Sequence, residues 1–235
     1  MKFGVVVFPG SNCDDDMMHV IGSVMGCEVQ KVWHKESHLG DLGKGDCIII
    51  PGGFSYGDYL RSGAIASHSH IIQAVKDFAA NGGYVLGICN GFQILCEMGL
   101  LPGVLLRNQH QKFVSKSIYL KTDSTQSPIT RALDSGQLVR MPVAHADGRY
   151  YADPDVIESL HKNGQVLFRY SNAEGDVNEE TNFNGSIDAI AGICNAERNV
   201  MGMMPHPERA AESLLGEDDG RLLFESLIQT VSAEI

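Results

Sequence analysis

The chain has 235 residues, 43% of them hydrophobic, enough to bury one good core and within the usual size of a single α/β domain spanning 1–235. Eighteen Lys and Arg against 29 Asp and Glu give a net charge of −11, and no basic cluster interleaves with aromatics, so nucleic acid is not an expected partner. Six scattered cysteines without a Cys-x-x-Cys pair suggest neither a zinc site nor a disulfide framework and point to a reducing cytosol; the apolar run ended by Pro9 is too short for a signal or a membrane span.

In chain order, Phe3 to Phe8 is continuous and rich in β-branched residues, the pattern of a parallel strand buried on both faces. Pro9-Gly10-Ser11-Asn12 ends it, and a helix is expected next, capped by Ser11 or Asn12, with Asp14, Asp15 and Asp16 matching the dipole of its first turn. The three aspartates could also be metal ligands, but consecutive helical residues point in different directions, which favours the solvated turn. Strands are predicted at Glu28 to Trp33 and Cys47 to Ile50. Between them, Gly40 to Gly45 superficially resembles a phosphate loop, but the spacing is too short, Gly45 stands where a magnesium-binding hydroxyl belongs, and a strand follows instead of a helix.

The third strand runs into Pro51-Gly52-Gly53-Phe54-Ser55-Tyr56-Gly57-Asp58-Tyr59, at the strand end where open α/β sheets bind ligands. Ile71 to Ala79 then presents one apolar helical face, stopped by Asn81-Gly82-Gly83. The next stretch, Tyr84 to Gln93, changes period at Cys89: Val85, Leu86 and Ile88 suit a buried strand, while Phe92, Ile94, Leu95 and Met98 recur at helical spacing. Gly87 and Gly91 flank the cysteine as in a nucleophile elbow, and a helix opening at Asn90 would favour thiolate at Cys89. Taken alone, this stretch leaves two readings open, a nucleophile or a small buried hydrophobe. The first half thus reads β-α-β-β-α-β-α, a layered, mainly parallel sheet with helices on both faces.

Beyond Leu106 the chain becomes strand-rich, with alternating stretches at Ser117 to Leu120, Leu138 to Val143 and Val166 to Tyr170, a short helix at Asp153 to Leu160 and an exposed loop at Asn172 to Asn184. Ile187 to Ile193 and Val200 to Met204 read as buried strands, and Phe224, Leu227, Ile228 and Val231 as a closing helix. After the last strand comes Pro205-His206-Pro207-Glu208-Arg209. In an extended segment His206 and Glu208 share a face, so Glu208 can orient an imidazole that faces a nucleophile; the alternative is an exposed strand-end turn. What favours the dyad is that Pro9-Gly10, Pro51-Gly52-Gly53, Cys89 and His206 all follow apolar strands, and in a parallel sheet those four ends share one edge. Cys13 is the rival thiol, but it lies beside three acids and lacks flanking glycines. His68 and His70 point to different sides of a helical start, and His19, His34, His38, His110 and His161 show no partner pattern.

Gly87-Ile88-Cys89-Asn90-Gly91-Phe92-Gln93, with Pro51-Gly52-Gly53 upstream and His206-Pro207-Glu208 downstream, resembles the class I (triad) glutamine amidotransferases, whose fold is flavodoxin-like. Pro9 to Asp14, Gly52 to Ala66, Cys89 to Gln93 and Met204 to Arg209 narrow the resemblance to glutaminase subunits that serve a separate synthase, the one that converts formylglycinamide ribonucleotide to its amidine in purine biosynthesis. Asn90 and Phe92 are discriminating, since most of the broader family has Leu and His there; His145-Ala146-Asp147-Gly148 departs from the Gly and Glu expected at its second and third positions. The resemblance implies a hydrolysing triad of Cys89, His206 and Glu208, an oxyanion hole at Gly53 and Asn90, and substrate contacts from Gly52, Phe54 and Gln93. It further implies L-glutamine as substrate, no metal or cofactor in this chain, and a cytoplasmic complex whose large synthase subunit uses ATP and magnesium, completed by a small accessory subunit. A cysteine elbow also occurs on this fold in stress-response proteins, which have no need of His206-Pro207-Glu208, and a regulatory subunit without activity would not need the complete set.

Overall fold

The computed structural model describes residues 1–234. Its elements follow from the apolar runs: β1 (Lys2–Val7), α1 (Asp14–His19), β2 (Glu28–Trp33), β3 (Cys47–Ile50), α2 (Ile71–Ala80), β4 (Tyr84–Ile88) and α3 (Asn90–Glu97) make the first half. The second half adds β5 (Val104–Leu106), β6 (Val114–Thr122), β7 (Leu138–His145), β8 (Arg149–Tyr151), α4 (Pro154–Lys162), β9 (Val166–Ser171), β10 (Ile190–Cys194), β11 (Val200–Met203) and α5 (Asp219–Glu234).

Nine strands form one sheet in the order β2-β1-β3-β4-β11-β10-β9-β6-β7. The first five are mutually parallel and the ladder then alternates, so that β10 and β6 alone run against the other seven. The chain order reverses across β1, with β2 on one side and β3 on the other, and right-handed crossovers therefore put α1 and α2 on opposite faces. β3 and β10 are buried at every position, consistent with cover on both sides.

The parallel strands end together, which brings the loops after β1, β3, β4 and β11 to one edge. An isolated antiparallel bridge from Ser11 to Gly53 ties the first two of these loops. β4 and β11 pair Gly87 with Gly202, and α3 lies on the floor those two glycines leave. A Cβ on Gly202 would stand 2.2 Å from the Phe92 ring, and one on Gly87 2.5 Å from Leu95 and 2.7 Å from the Gly91 backbone. Phe92 in turn stacks on Tyr150, at 6.0 Å between centroids, which gives the aromatic at this elbow position a packing reason.

Three local expectations change. The N-cap of α1 is Cys13, with no side-chain cap, because Ser11 Oγ donates to Phe8 O and Asn12 Oδ1 accepts from Cys13 Sγ. The strand expected from Ile187 begins only at Ile190: Asp188 and Ala189 have φ of +49° and +55°, a turn pinned by His161 and Arg169 on the Asp188 carboxylate. β5 and β8 form a small antiparallel pair of their own, too short to show in the residue pattern.

Candidate active site

Cys89 occupies the turn between β4 and α3 with φ +49° and ψ −105°, a conformation a non-glycine residue adopts only under constraint. The constraint is visible: its N–H donates to Met203 O at 2.8 Å, and its carbonyl accepts the Gln93 N–H at 3.2 Å as α3 begins. Gly87 and Gly91 have ordinary φ; they are required for close approach, since a Cβ on Gly91 would overlap Ile50 O at 1.8 Å. The elbow therefore carries its strain on the cysteine and its crowding on the glycines.

His206 and Glu208 stand opposite, at the end of β11, each only 2% exposed. A carboxylate only accepts, so His206 Nδ1 donates to Glu208 Oε1, at 2.7 Å. The segment is not extended as its prolines suggest: Pro207–Arg209 is a 3-10 turn, and the two side chains meet by curling toward each other. The His206 N–H donates to Pro142 O of β7 at 2.9 Å, which anchors the ring's backbone. Burial alone would lower the imidazole's proton affinity, but the Glu208 carboxylate and the neighbouring Cys89 outweigh it, and the ring holds its proton well above the usual histidine range. The ring's Nε2 has no hydrogen bond of good geometry.

A cavity of about 260 Å³ opens beside these groups, lined by Gly53, Phe54, Cys89, Asn90, Gln93 and His206 of the expected set and by Cys13, Asp58, Ser62, Phe113, Ala146, Asp147 and Arg209 among others. It suits a small amino acid, below the ~300–1,000 Å³ of pockets for drug-sized ligands. A larger cavity of about 600 Å³ at the opposite strand ends, where β4 and β11 begin, is lined by no cysteine or histidine.

Gly52 is not part of the lining. A Cβ there would sit 2.7 Å from His206 Cε1, 3.2 Å from Cys13 Sγ and 3.4 Å from Cys89 Cβ, so Gly52 keeps the space in which those three side chains meet. Asn90 Oδ1 accepts the Ser55 N–H at 3.1 Å, and its Nδ2 donates to Asp58 Oδ1 at 3.0 Å and Gln93 Oε1 at 2.8 Å. The Asn at this position thereby locks the loop after β3 onto the start of α3. Gln93 Nε2 donates to Asp147 O at 2.5 Å, and Asp147 Oδ2 accepts from Ser62 Oγ at 2.9 Å, so the variant loop at 145–148 is fixed through its acid and its backbone. Burial raises the Asp58 carboxyl, opposed by hydrogen bonds from Asn90, Gly63 and Ser62 and assisted by the charge of Asp147.

Cys13, the rival thiol, lines the same cavity. The acids beside it in sequence turn elsewhere, Asp14 and Asp15 to Lys31 and Asp16 to Arg209, while Arg209 Nη2 donates to Cys13 Sγ at 3.1 Å. Sequence neighbours misled because the relevant contacts come from the loop after β11. Phe113, on the short run into β6, had no signal in the sequence. Of the histidines without a sequence pattern, His19 pairs with Glu212, His34 with Tyr56 and His161 with Asp188, all far from Cys89 in sequence.

The profile of the CobB/CobQ-like glutamine amidotransferase domain matches residues 1–218. The chain belongs to this glutamine amidotransferase family. Among curated members it is 57% identical over 231 residues to the phosphoribosylformylglycinamidine synthase subunit PurQ of Salinibacter ruber, covering 98% of this chain and 97% of the relative. It is 53% identical over 228 residues to the PurQ subunit of Moorella thermoacetica, covering 97% and 95%. Among solved structures, PurLQS from Thermotoga maritima contains a chain that superposes with a TM-score of 0.85 at 42% identity, over 98% of both chains. A glutamine amidotransferase from Thermotoga maritima, at 14% identity and a TM-score of 0.56 over 99% of this chain and 94% of that one, shares the fold. Among the described residues no helix is long and apolar enough to cross a membrane.

Proposed function

We propose that this amidotransferase, as one domain over 1–235, is the glutaminase subunit of a phosphoribosylformylglycinamidine synthase. It hydrolyses L-glutamine and delivers the ammonia to an ATP-dependent partner in the cytoplasm, which converts formylglycinamide ribonucleotide to formylglycinamidine ribonucleotide. The observation that carries the reading is that Cys89 and His206 line one small cavity, with the buried Glu208 holding the imidazole.

In this reading Cys89 Sγ attacks the side-chain carboxamide carbon of glutamine, and the backbone N–H groups of Gly53 and Asn90 receive the oxyanion. His206 gives its proton to the departing ammonia and then takes one from the water that cleaves the glutamyl thioester, while Glu208 holds the ring through Nδ1. Phe54 and Gln93 contact the substrate. Gly52 acts by leaving room for His206.

The chain has no phosphate loop or dinucleotide fingerprint, so ATP and magnesium belong to the partner, the large synthase subunit, with a small accessory subunit completing the complex. The loop after β3 supports docking at this edge. Tyr56, Asp58 and Leu60 have positive φ, and Phe54, Tyr59 and Leu60 are 48%, 74% and 90% exposed, so strained backbone and apolar side chains both await cover. A partner that orders this loop would set the Gly53 N–H and raise turnover.

Cys89→Ala and Cys89→Ser are expected to abolish glutamine hydrolysis with the fold intact, His206→Ala to cost nearly as much, and Glu208→Gln less. The Cys89, His206 double variant should be no worse than either alone, since the two act as a unit. Full activity without Cys89, or additive losses, would overturn the triad. Trapping of a glutamine-analogue electrophile on Cys89 checks the nucleophile directly. Glutaminase measured with and without the synthase, its ribonucleotide and ATP checks the partner: an unchanged rate sinks activation by docking, and ATP-dependent amidine formation by this chain alone sinks the division of labour.

A further inference from the structure

Two half-buried carboxylates, Asp58 and Asp147, line the cavity beside Cys89, and no cation answers them. Arg61, three residues on from Asp58, is taken by Glu97 at 2.7 Å from its Nε, and Arg209 by Asp16 at 3.1 Å. The proton on His206 is balanced by Glu208, and burial pushes the pKa of His145 down to about 4, which keeps that ring neutral. Asp58 and Asp147 thus have no ion-pair partner among the described residues. They also compete for one proton: Ser62 Oγ donates to Asp147 Oδ2 at 2.9 Å and neighbours Asp58 as well, yet a serine has a single O–H to give. Burial, assisted by the charge of Asp147, holds the Asp58 carboxyl above its ordinary range.

A second observation points to a ligand independently. His206 lines the same cavity, is 2% exposed, and its Nε2 makes no hydrogen bond of good geometry. A polar atom buried so deeply is completed by a polar group that enters the cavity. The cavity of about 260 Å³ therefore has one end at Cys89 and His206 that suits a polar group, and an anionic end at Asp58 and Asp147. Asn90 joins the two: it follows Cys89 in the chain, and its Nδ2 donates to Asp58 Oδ1 at 3.0 Å. A small ligand that satisfies both ends carries an amide at one and a positive charge at the other.

We propose that Asp58, with Asp147 beside it, binds the α-ammonium group of the substrate and so selects glutamine over amides that lack that charge. This contact belongs to the glutaminase proposed above and rests on that reading of the site. An ammonium brings three N–H donors and one positive charge, enough for both carboxylates where Ser62 serves one. Its charge also offsets the repulsion between them. The α-amino group lies at the far end of glutamine from the reacting carboxamide, so the contact is made equally in ground and transition states and governs KM more than kcat. The loop holds Asp58 at φ +52°, a conformation asparagine adopts as readily, so Asp58→Asn removes the charge and keeps the backbone.

The test uses the full chain with the synthase partner, its ribonucleotide and ATP, L-glutamine as substrate and glutaramate, which is glutamine without its amino group, as competitor. In wild type the inhibition constant of glutaramate is expected to exceed the KM for glutamine at least about 10²-fold. Asp58→Asn should raise the KM for glutamine at least about tenfold, with kcat changed less and the inhibition constant of glutaramate within about threefold of its wild-type value. Asp147→Asn should act in the same direction, and it decides the matter if a thermal melt shows Asp58→Asn unfolded. A wild type that binds glutaramate as well as glutamine, or variants that weaken both ligands by the same factor, would overturn the ammonium site. Calorimetry of L-glutamine on Cys89→Ala separates this from the proposed function. Binding that weakens when Asp58→Asn is added, in a chain whose wild type hydrolyses no glutamine with its partner, would uphold the ammonium site and refute the glutaminase.

Discussion

Gly52→Ala separates a residue that makes room from one that touches substrate. Its φ lies outside the left-handed range, so the backbone admits alanine. The new methyl would stand 2.7 Å from His206 Cε1, where carbon atoms rest at about 3.5–4.0 Å, so the ring must retreat by about 0.8–1.3 Å. It cannot translate freely, because Nδ1 is bound to Glu208 and the backbone N–H to Pro142, and it swings away from Cys89. A misplacement of about 1 Å costs about 10²-fold in rate, or ~2.7 kcal/mol of barrier. Overpacking should cost ~1–3 kcal/mol of stability, leaving a folded protein. Glutamate release against glutamine concentration, with a thermal melt alongside, is the assay. The loss is expected in kcat with KM little changed. A kcat within about threefold of the parent, or a loss confined to KM, would refute the reasoning and restore Gly52 as a substrate contact.

Cys89→Gly should abolish hydrolysis and yet melt a few degrees above Cys89→Ala: the strain at φ +49° and ψ −105°, worth about 1–3 kcal/mol, is relieved only by removing Cβ, and exceeds the ~0.5–1 kcal/mol entropic cost of glycine. Equal melting temperatures would mean the elbow stores no strain. His145 gives a pH dependence. Burial first, then the charges of His206 and His110, push its pKa down to about 4. The unfolded chain takes up the proton near the ordinary 6.5 and the folded one does not, so this contribution is complete above pH 6.5 and is lost as pH falls toward 4, ~3 kcal/mol in all. Denaturant midpoints at pH 7.5 and 5 should therefore converge more for His145→Gln than for wild type; parallel losses would mean that His145 is not the group responsible. Gly91→Ala should fail to accumulate as folded protein, since its Cβ would lie 1.8 Å from Ile50 O, between backbones that neither β3 nor α3 can move. Circular dichroism and soluble yield check it, and a normally folded variant would show that α3 does not depend on that approach.

The sequence by itself determined where backbone direction changes: apolar runs closed by Pro and Gly became β1, β3, β4 and β11, and the period change at Cys89 became the elbow. It also determined that these ends share an edge, because parallel strands align their C-termini. These are local properties, set by hydrophobic period and by what Gly and Pro allow the backbone. Only the tertiary structure decided which strands reverse, that β5 finds β8, and that His206 meets Glu208 through a 3-10 turn. It also decided that Arg209 reaches Cys13 across the fold, and that a Cβ on Gly52 would crowd Cys13, Cys89 and His206. Each of those depends on segments far apart in the chain being packed at van der Waals distance, and the atom that fills or empties such a space is fixed by the partner segment, which the local sequence does not name.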